Sequence, residues 1–337
     1  MSSPPPEAAE VALATLVETP PEGSGWLHEI KLDGYRIVGR VEAGEVTLLT
    51  RRGNDWTARA PSVASVLARL PVQNAVLDGE IVSLRSSGVS DFQALQNALS
   101  EGRSQSLVYY AFDLMFLDGL DLRRLPLLER KTALAALLAK AKSDGHLRLS
   151  EHVEGRGQAV FDRACKLGLE GTIAKRADAP YRAGRGRDWL KIKCIARQEF
   201  VIGGYTPPGG SRTHIGALLL GVREGDDLRY AGKVGTGFSV ASLRDLHARL
   251  EPLRQAECPF SPRPSGALVK GAKWVKPSLV AEIAFTEFTA DGRLRHPSFQ
   301  GLREDKPAAA VVRERPATSE PRARKSPART GKSKRAQ

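Results

Sequence analysis

Cysteine is scarce in this 337-residue chain. Cys165, Cys194 and Cys258 are odd in number, far apart and without a Cys-x-x-Cys spacing. That argues against a disulfide framework and a zinc site, and for a reducing cytoplasm. Long apolar runs are missing: no stretch reaches the roughly eighteen residues of a membrane-spanning helix. Residues Met1 to Glu10 hold prolines and acids but no basic or apolar segment, so they do not read as a secretory signal. Acids are the minority charge, 38 Asp and Glu against 51 Lys and Arg, for a net +13. The segment Pro316–Gln337 carries seven basic residues against Glu320 and so holds +6 of this, leaving +7 elsewhere. Its Pro, Ser, Arg and Lys without apolar periodicity read as a disordered polycation that would add salt-sensitive, sequence-blind affinity for nucleic acid. A polyanionic partner is the natural inference, with charge for solubility as the competing reading.

The texture of the chain changes twice. The first twenty or so residues read as a loose lead-in. From Trp26 strands and helices alternate irregularly. Trp26–Val41 reads as two strands paired around the Asp33-Gly34 turn, and Pro61–Leu70 as a helix opened by proline. Ala75–Leu84 reads as a strand, and Asp91 as the cap of a short helix. Leu107–Phe116 is an aromatic-rich strand, and helices follow at Pro126–Ala141 and Gln158–Leu167. Leu169–Arg176 and Trp189–Cys194 are strands separated by an Arg/Gly-rich loop, Tyr181–Asp188. After Arg197 helices nearly vanish. Short apolar runs joined by Gly/Pro turns, with one helix at Val240–Leu250 (Val240, Leu243, Leu246 and Leu250 on its face), predict a small OB-type barrel. The fold class is therefore α+β. The expected boundaries are a flexible N-terminus over 1–11, an α+β domain over 12–195, an OB-fold over 196–313 and a basic tail over 314–337.

The chemistry-bearing stretch is Glu29-Ile30-Lys31-Leu32-Asp33-Gly34-Tyr35-Arg36. On a strand Glu29, Lys31 and Asp33 share one face, a poor pattern for a core and a good one for a site. The glycine would let the backbone approach a ligand. A lysine flanked by acids is also commonly just a solvated, paired lysine. Further stretches follow in order: Asp78-Gly79-Glu80, Tyr110-Ala111-Phe112-Asp113, Glu170-Gly171-Thr172-Ile173-Ala174-Lys175-Arg176, Trp189-Leu190-Lys191-Ile192-Lys193, and Leu302-Arg303-Glu304-Asp305-Lys306. Each alone has a bland reading. Together, in this order, they resemble the motifs of the covalent nucleotidyltransferases: ATP-dependent DNA ligases, RNA ligases and mRNA-capping enzymes. Trp26–Arg36, Thr50–Thr57, Phe200–Gly210 and Arg295–Lys306 further resemble the ligase module of the bacterial end-joining ATP-dependent DNA ligases, the LigD type, from about residue 12 to 313. The polymerase and phosphoesterase modules that often accompany that ligase are not in this sequence, so a stand-alone ligase or a module of a longer chain is expected.

The resemblance implies that Lys31 is the nucleophile that takes AMP from ATP, with Asp33 orienting it. It makes Glu29 the reader of the adenine amino group and Phe112 the ring stacked on the base. Arg36 and Arg51 would hold ribose or a nick phosphate. Glu80 and Glu170 would hold ribose and Mg²⁺ or Mn²⁺, and Lys191 and Lys193 the α-phosphate. Arg303, Asp305 and Lys306 would orient the leaving pyrophosphate, which requires the OB-fold to swing on a hinge near Cys194–Gln198. A lowered Lys31 pKa, from neighbouring cations and partial desolvation, is part of this expectation. The implied partners are nicked or broken double-stranded DNA and the end-binding protein Ku. The protein would be a monomer in the bacterial cytoplasm, associated with the nucleoid. An RNA ligase, a GTP-using capping enzyme and a non-catalytic OB-fold nucleic-acid binder are the competing functions.

Overall fold

The computed structural model describes residues 11–141, 145–209, 214–266 and 269–317. The expected flexible N-terminus, up to residue 10, and the basic tail from residue 318 lie outside the described residues. In chain order the elements of the N-terminal body are β1 (Ala12–Leu16), β2 (Trp26–Ile30), β3 (Tyr35–Glu42), β4 (Glu45–Thr50), α1 (Pro61–Ala68), β5 (Asn74–Ser83), α2 (Phe92–Ser100), β6 (Leu107–Leu117), β7 (Leu120–Asp121), α3 (Leu127–Lys140), β8 (Leu147–Leu149), β9 (His152–Glu154), α4 (Gly157–Lys166), β10 (Gly171–Arg176) and β11 (Gly184–Lys193). The C-terminal body comprises β12 (Ala196–Thr206), β13 (Ala217–Glu224), β14 (Asp227–Val234), α5 (Val240–Leu250), β15 (Arg254–Gln255), β16 (Lys273–Val275), β17 (Val280–Phe285), β18 (Glu287–Phe288), β19 (Leu294–Arg295) and β20 (Ser298–Leu302).

Period-two alternation divides the N-terminal body into layers. One sheet has the order β4-β3-β5-β6-β7, with β8 on β6, and the other the order β1-β11-β10-β2-β9. On β3 and β5, Tyr35, Ile37, Val41, Ala75, Leu77 and Ile81 point outward into the core shared with α1, α2 and α3. The intervening Val38 and Val76, with Phe112 and Phe116 of β6, point inward against Trp189 of β11. The inward positions of the two sheets therefore face each other across a cleft. α4 covers the far side of the second sheet, where Ala174, Leu190 and Ile192 pack with Phe161.

Three expectations need correction. β2 and β3 do not pair: β2 bonds to β10 and β9, and β3 to β4 and β5, so Asp33-Gly34 passes the chain between sheets. Gly34 is required not by a ligand but by β5, because a Cβ there would lie 2.2 Å from the Ile81 carbonyl oxygen. The lead-in contains strand β1, which runs parallel to β11, and that pairing draws Gly184–Asp188 of the expected loop into β11. The cysteines also disagree with the sequence reading. Cys165 at the end of α4 and Cys194 just past β11 are disulfide-bonded, their Cα atoms 5.2 Å apart. Packing of α4 beneath β10 and β2 brings together residues 29 apart in sequence. The cysteine count thus loses its value as an argument for a reducing compartment.

The C-terminal body has its own core, built on Phe200, Leu218, Leu220, Leu246, Val275 and Ile283. Its long strand β12 bonds to β17 with its first half and to β13 and β16 with its second, so the ladder bends sharply without closing among the described residues. α5 begins at a Ser239/Ser242 capping box and buries Leu243, Leu246 and Leu250. Val240, expected on that face, is exposed.

One buried ion pair pins α3 to the first sheet. Arg130 donates to both carboxylate oxygens of Asp113 at 2.7 and 2.8 Å, and to the carbonyls of Leu125 and Ala179, with neither side chain exposed. Arg130→Met alone strands a buried carboxylate and should cost about 3–5 kcal/mol. The double variant Arg130→Met/Asp113→Leu should recover most of that. Thermal unfolding of the two checks the difference.

Candidate active site

The cleft between the two sheets gathers charge because inward positions on both carry it. From the second sheet come Glu29 on β2, Lys175 on β10, and Lys191 and Lys193 on β11. From the first come Arg36 on β3 and Asp78 and Glu80 on β5, with Arg36 directly opposite Glu80 in register. Lys31 lies just beyond β2, its backbone N–H donating to the Gly171 carbonyl at 2.9 Å, and its ammonium is 2.5 Å from Glu170. Burial disfavours its charge, yet Glu170, Asp33 and Glu282 outweigh that and raise the Lys31 pKa above its ordinary value. The expected lowering counted on a bound metal together with Lys191 and Lys193, and here both of those lysines are paired with Glu314.

The predicted shared face of Glu29, Lys31 and Asp33 is divided among three partners. Glu29 accepts from Lys131 at 2.7 Å, Lys175 at 2.9 Å and Ser150 at 2.9 Å. Its burial alone would raise the carboxyl pKa, but the two ammoniums hold it lowered. Burial drops Lys175 to about 8, and its Nζ lies 4.3 Å from the Phe112 ring centre and 4.2 Å from that of Trp189. Asp33 is paired with Arg197 of β12; burial and the nearby Glu170 and Glu282 push its carboxyl up to about 7 despite that pair. Arg36 forks onto Asp78 at 2.9 and 2.5 Å and donates to the Ala12 carbonyl. Asp78 also accepts from the Tyr181 hydroxyl at 2.6 Å.

Among the residues singled out from sequence, Lys31, Asp33, Glu80, Glu170, Lys191, Lys193 and Arg303 line one cavity of about 120 Å³ between the two bodies. Glu29, Arg36 and Phe112 lie further along the cleft. Arg51 stands at the first body's surface, its charge disfavoured by burial and by neighbouring Arg36 and Arg185. Arg303 reaches the cavity from the C-terminal body, bound to Asp305 and Glu282 and stacked over Phe92 and Tyr35 of the first body. Lys306 pairs with Glu199 at 3.0 Å. Sequence reasoning missed Lys131, Lys175, Arg197, Glu282 and Glu314. Lys131 had a signal, as a cation on the apolar stripe Leu127–Leu134 of α3. The other four have none, because their role depends on which elements meet.

Two carboxylates are free to hold a hard cation. Glu170 Oε2 is buried without a hydrogen-bond partner, and Glu80 makes no ion pair among the described residues. Burial, only partly offset by Lys31 and Arg36, lifts Glu80 to about 8. An orphaned carboxylate oxygen and a second, unpaired carboxyl lining the same cavity fit a divalent ion completed by phosphate oxygens.

One amine among carboxylates, with two more ammoniums alongside and a second body closing over them, is an arrangement suited to phosphoryl chemistry on a nucleotide. Residues 9–193 match the model of the ATP dependent DNA ligase domain, and residues 211–306 that of the ATP dependent DNA ligase C terminal region. The chain is 48% identical over 322 residues to the multifunctional non-homologous end joining protein LigD of Pseudomonas aeruginosa, covering 95% of this chain and 38% of that protein. It is 41% identical over 295 residues to the LigD protein of Mycobacterium tuberculosis, covering 87% and 38%. A solved structure of mycobacterial DNA ligase D complexed with ATP and MES superposes with a TM-score of 0.67 at 38% identity, covering 90% of this chain and 98% of that one. The chain belongs to the family of ATP-dependent DNA ligases. It spans well under half the length of the curated relatives named here.

Glu29 gives the cleft a pH signature. Its folded pKa is lowered, so its stabilisation is complete above the ordinary carboxyl value of 4.5 and is lost as pH falls through the lowered one. Glu29→Gln, which strands two buried ammoniums, should cost about 3–5 kcal/mol near neutrality and flatten the acid side of the stability–pH curve. Melting temperatures between neutral and acid pH test both.

Proposed function

We propose that this chain seals 3′-hydroxyl/5′-phosphate nicks or ends in double-stranded DNA, using ATP and a lysyl-AMP intermediate, in the repair of broken DNA by end joining. The observation that carries the reading is the position of Lys31, an amine held between Glu170 and the cavity, in a chain of the ATP-dependent DNA ligase family. A 3′-hydroxyl is a poor nucleophile, and a covalent intermediate divides its reaction into easier steps.

In the first step Lys31 Nζ gives up a proton, bonds to the α-phosphorus of ATP and expels pyrophosphate. Glu170 holds the amine in place until then. Lys191 and Lys193 would take the negative charge that develops on the α-phosphate, and Arg303, which enters the cavity from the C-terminal body, would orient the leaving pyrophosphate. Glu80 and Glu170 would hold Mg²⁺ or Mn²⁺, which would neutralise phosphate charge and favour loss of the lysine proton. Glu29 with Lys131 and Lys175, beside Phe112, offers a polar edge and an aromatic face for adenine. The AMP then moves to the 5′-phosphate, and the 3′-hydroxyl displaces it. Arg51, exposed at the cleft mouth, is better placed for a DNA phosphate than Arg36, which Asp78 occupies. For DNA to reach Lys31 the C-terminal body must swing away, and the segment Cys194–Gln198 between β11 and β12 is the place for that hinge.

End joining is what the names of the LigD relatives carry, and recruitment by a Ku-type end-binding protein, action as a monomer and a place at the nucleoid in the cytoplasm are further parts of this proposal. We keep residue 195–196 as the boundary between the two bodies; Glu314 and Ala317, at the start of the expected tail, contact Lys191, Lys193 and Leu16 of the first body.

Incubation with α-labelled ATP and Mg²⁺ should place label on the protein, and nicked duplex should discharge it. Lys31→Ala should lose labelling by at least about 10³-fold in a protein that still folds, although stranding the Glu170 carboxylate lowers its melting temperature. Label taken from GTP, or retained by Lys31→Ala, would overturn the reading. Glu170→Gln removes both the amine's partner and a cation ligand, and should lower the labelling rate by about 10²-fold or more.

A further inference from the structure

From β20 to residue 317 the chain stays packed on the two bodies. Val311 is fully buried in the C-terminal body, and its carbonyl accepts from the Arg223 amide at 2.7 Å. Gln198 then holds the backbone on both sides of Arg313: its Nε2 donates to the Val312 carbonyl at 3.2 Å, and its Oε1 accepts from the Glu314 amide at 2.9 Å. At the far end the Ala317 amide donates to the Leu16 carbonyl of β1 at 2.9 Å. The segment crosses from one body to the other like a strap. At its middle the Glu314 carboxylate enters the cavity and takes both phosphate-site lysines, Lys191 at 2.5 Å and Lys193 at 3.0 Å.

We infer that Val311–Ala317 is an internal plug of the nucleotide site, in which the Glu314 carboxylate stands in for the α-phosphate and must be displaced before a nucleoside triphosphate can bind. This rests on the proposed role of Lys191 and Lys193 as the α-phosphate ligands. Three observations carry it. The geometry is that of an anion on two convergent ammoniums, one oxygen to each. Glu314 itself lines the phosphate end of the cleft, where about 120 Å³ of space remains, so its carboxylate occupies the place an α-phosphate on Lys191 and Lys193 would need. The strap is anchored on both bodies, so the contact that fills the site also holds the cleft shut. The strength of the plug is set by the pair's surroundings. Burial would lift the Glu314 carboxyl, but Lys193 and Lys191 bring it down to about 2, so the plug is charged at any working pH. The consequence is competitive. If the plug fills the site nine-tenths of the time, apparent affinity for nucleotide falls about tenfold, with no change in the chemical step.

The test compares the full chain with Glu314→Gln and Glu314→Ala. Glu287→Gln serves as a charge control, since Glu287 pairs with Arg295 in the β18–β19 hairpin. The first readout is equilibrium binding of adenosine 5′-(α,β-methylene)triphosphate, which cannot transfer AMP. The second is the ATP dependence of lysine labelling. Both Glu314 variants should bind the analogue about tenfold more tightly and show a KM for ATP lower by the same factor, with the saturated labelling rate preserved and the control unmoved. Unchanged or weaker binding in the Glu314 variants overturns the plug. So does a fall in the saturated rate, which would make Glu314 a positioning residue for the two lysines. If the wild-type chain binds the analogue but takes no label, the ligase reading fails while the binding comparison still decides the plug.

Discussion

The ion pair between Lys31 and Glu170 is the constraint on which the rest of the site depends. Each group lies at the end of a strand, just beyond β2 and just before β10, and the Lys31 amide bonds to the Gly171 carbonyl. A nucleophilic lysine must be withdrawn from water to be reactive, and a withdrawn ammonium must have a partner. Glu170 supplies it with one oxygen and leaves the other unsatisfied. The same element that keeps the amine in the fold thus keeps a place open for a cation or a hydroxyl. Apart from Glu80, the charges in the cleft compensate one another: Glu29 for two lysines, Asp78 for Arg36, Asp33 for Arg197, Glu314 for Lys191 and Lys193.

Those pairs sort by function according to whether they bridge the two bodies. Glu29 with Lys131 and Lys175, and Arg130 with Asp113, lie within the first body and shape a rigid floor. Asp33 with Arg197, Lys193 with the Arg197 carbonyl, and Gln96 with the Leu302 carbonyl cross the gap. Among the described residues the crossing contacts are mainly polar, and the apolar clusters of the two bodies are separate. An interface of that kind opens at modest cost, as a cleft that must admit nucleotide and then DNA requires. The strap belongs to this second group, and its carboxylate makes closure without ligand self-consistent, because the lysines would otherwise face each other unshielded.

Much of this was legible in the sequence. The order and approximate bounds of most helices and strands followed from periodicity and caps: α5 matches residue for residue, and Asp91 caps α2 through the Ala94 amide. The shift to an OB-type body after β11 was visible in the loss of helices. Of the site, Lys31, Asp33, Glu80, Glu170, Lys191, Lys193 and Arg303 could be named from ordered motifs, and the structure brings them to one cavity. What failed did so for identifiable reasons. Asp33-Gly34 has hairpin chemistry, but its flanking strands find better partners elsewhere. β1 is short and lies in a proline-rich lead-in, so only its pairing with β11 reveals it. The cysteines sit 29 residues apart and meet through helix packing, which no spacing rule sees.

The sequence by itself determined which residues are inward on each strand, because alternation is a property of the extended backbone, and it determined the inventory of amines and carboxylates. Only the tertiary structure decided which amine meets which carboxylate. Charge pairing across a cleft depends on strand order and on how two bodies close, and neither leaves a local trace. Glu29 therefore looked like a neighbour of Lys31 and is a partner of Lys131 and Lys175, while Glu314, nearly three hundred residues along the chain from Lys31, pairs with the two lysines of the same cavity.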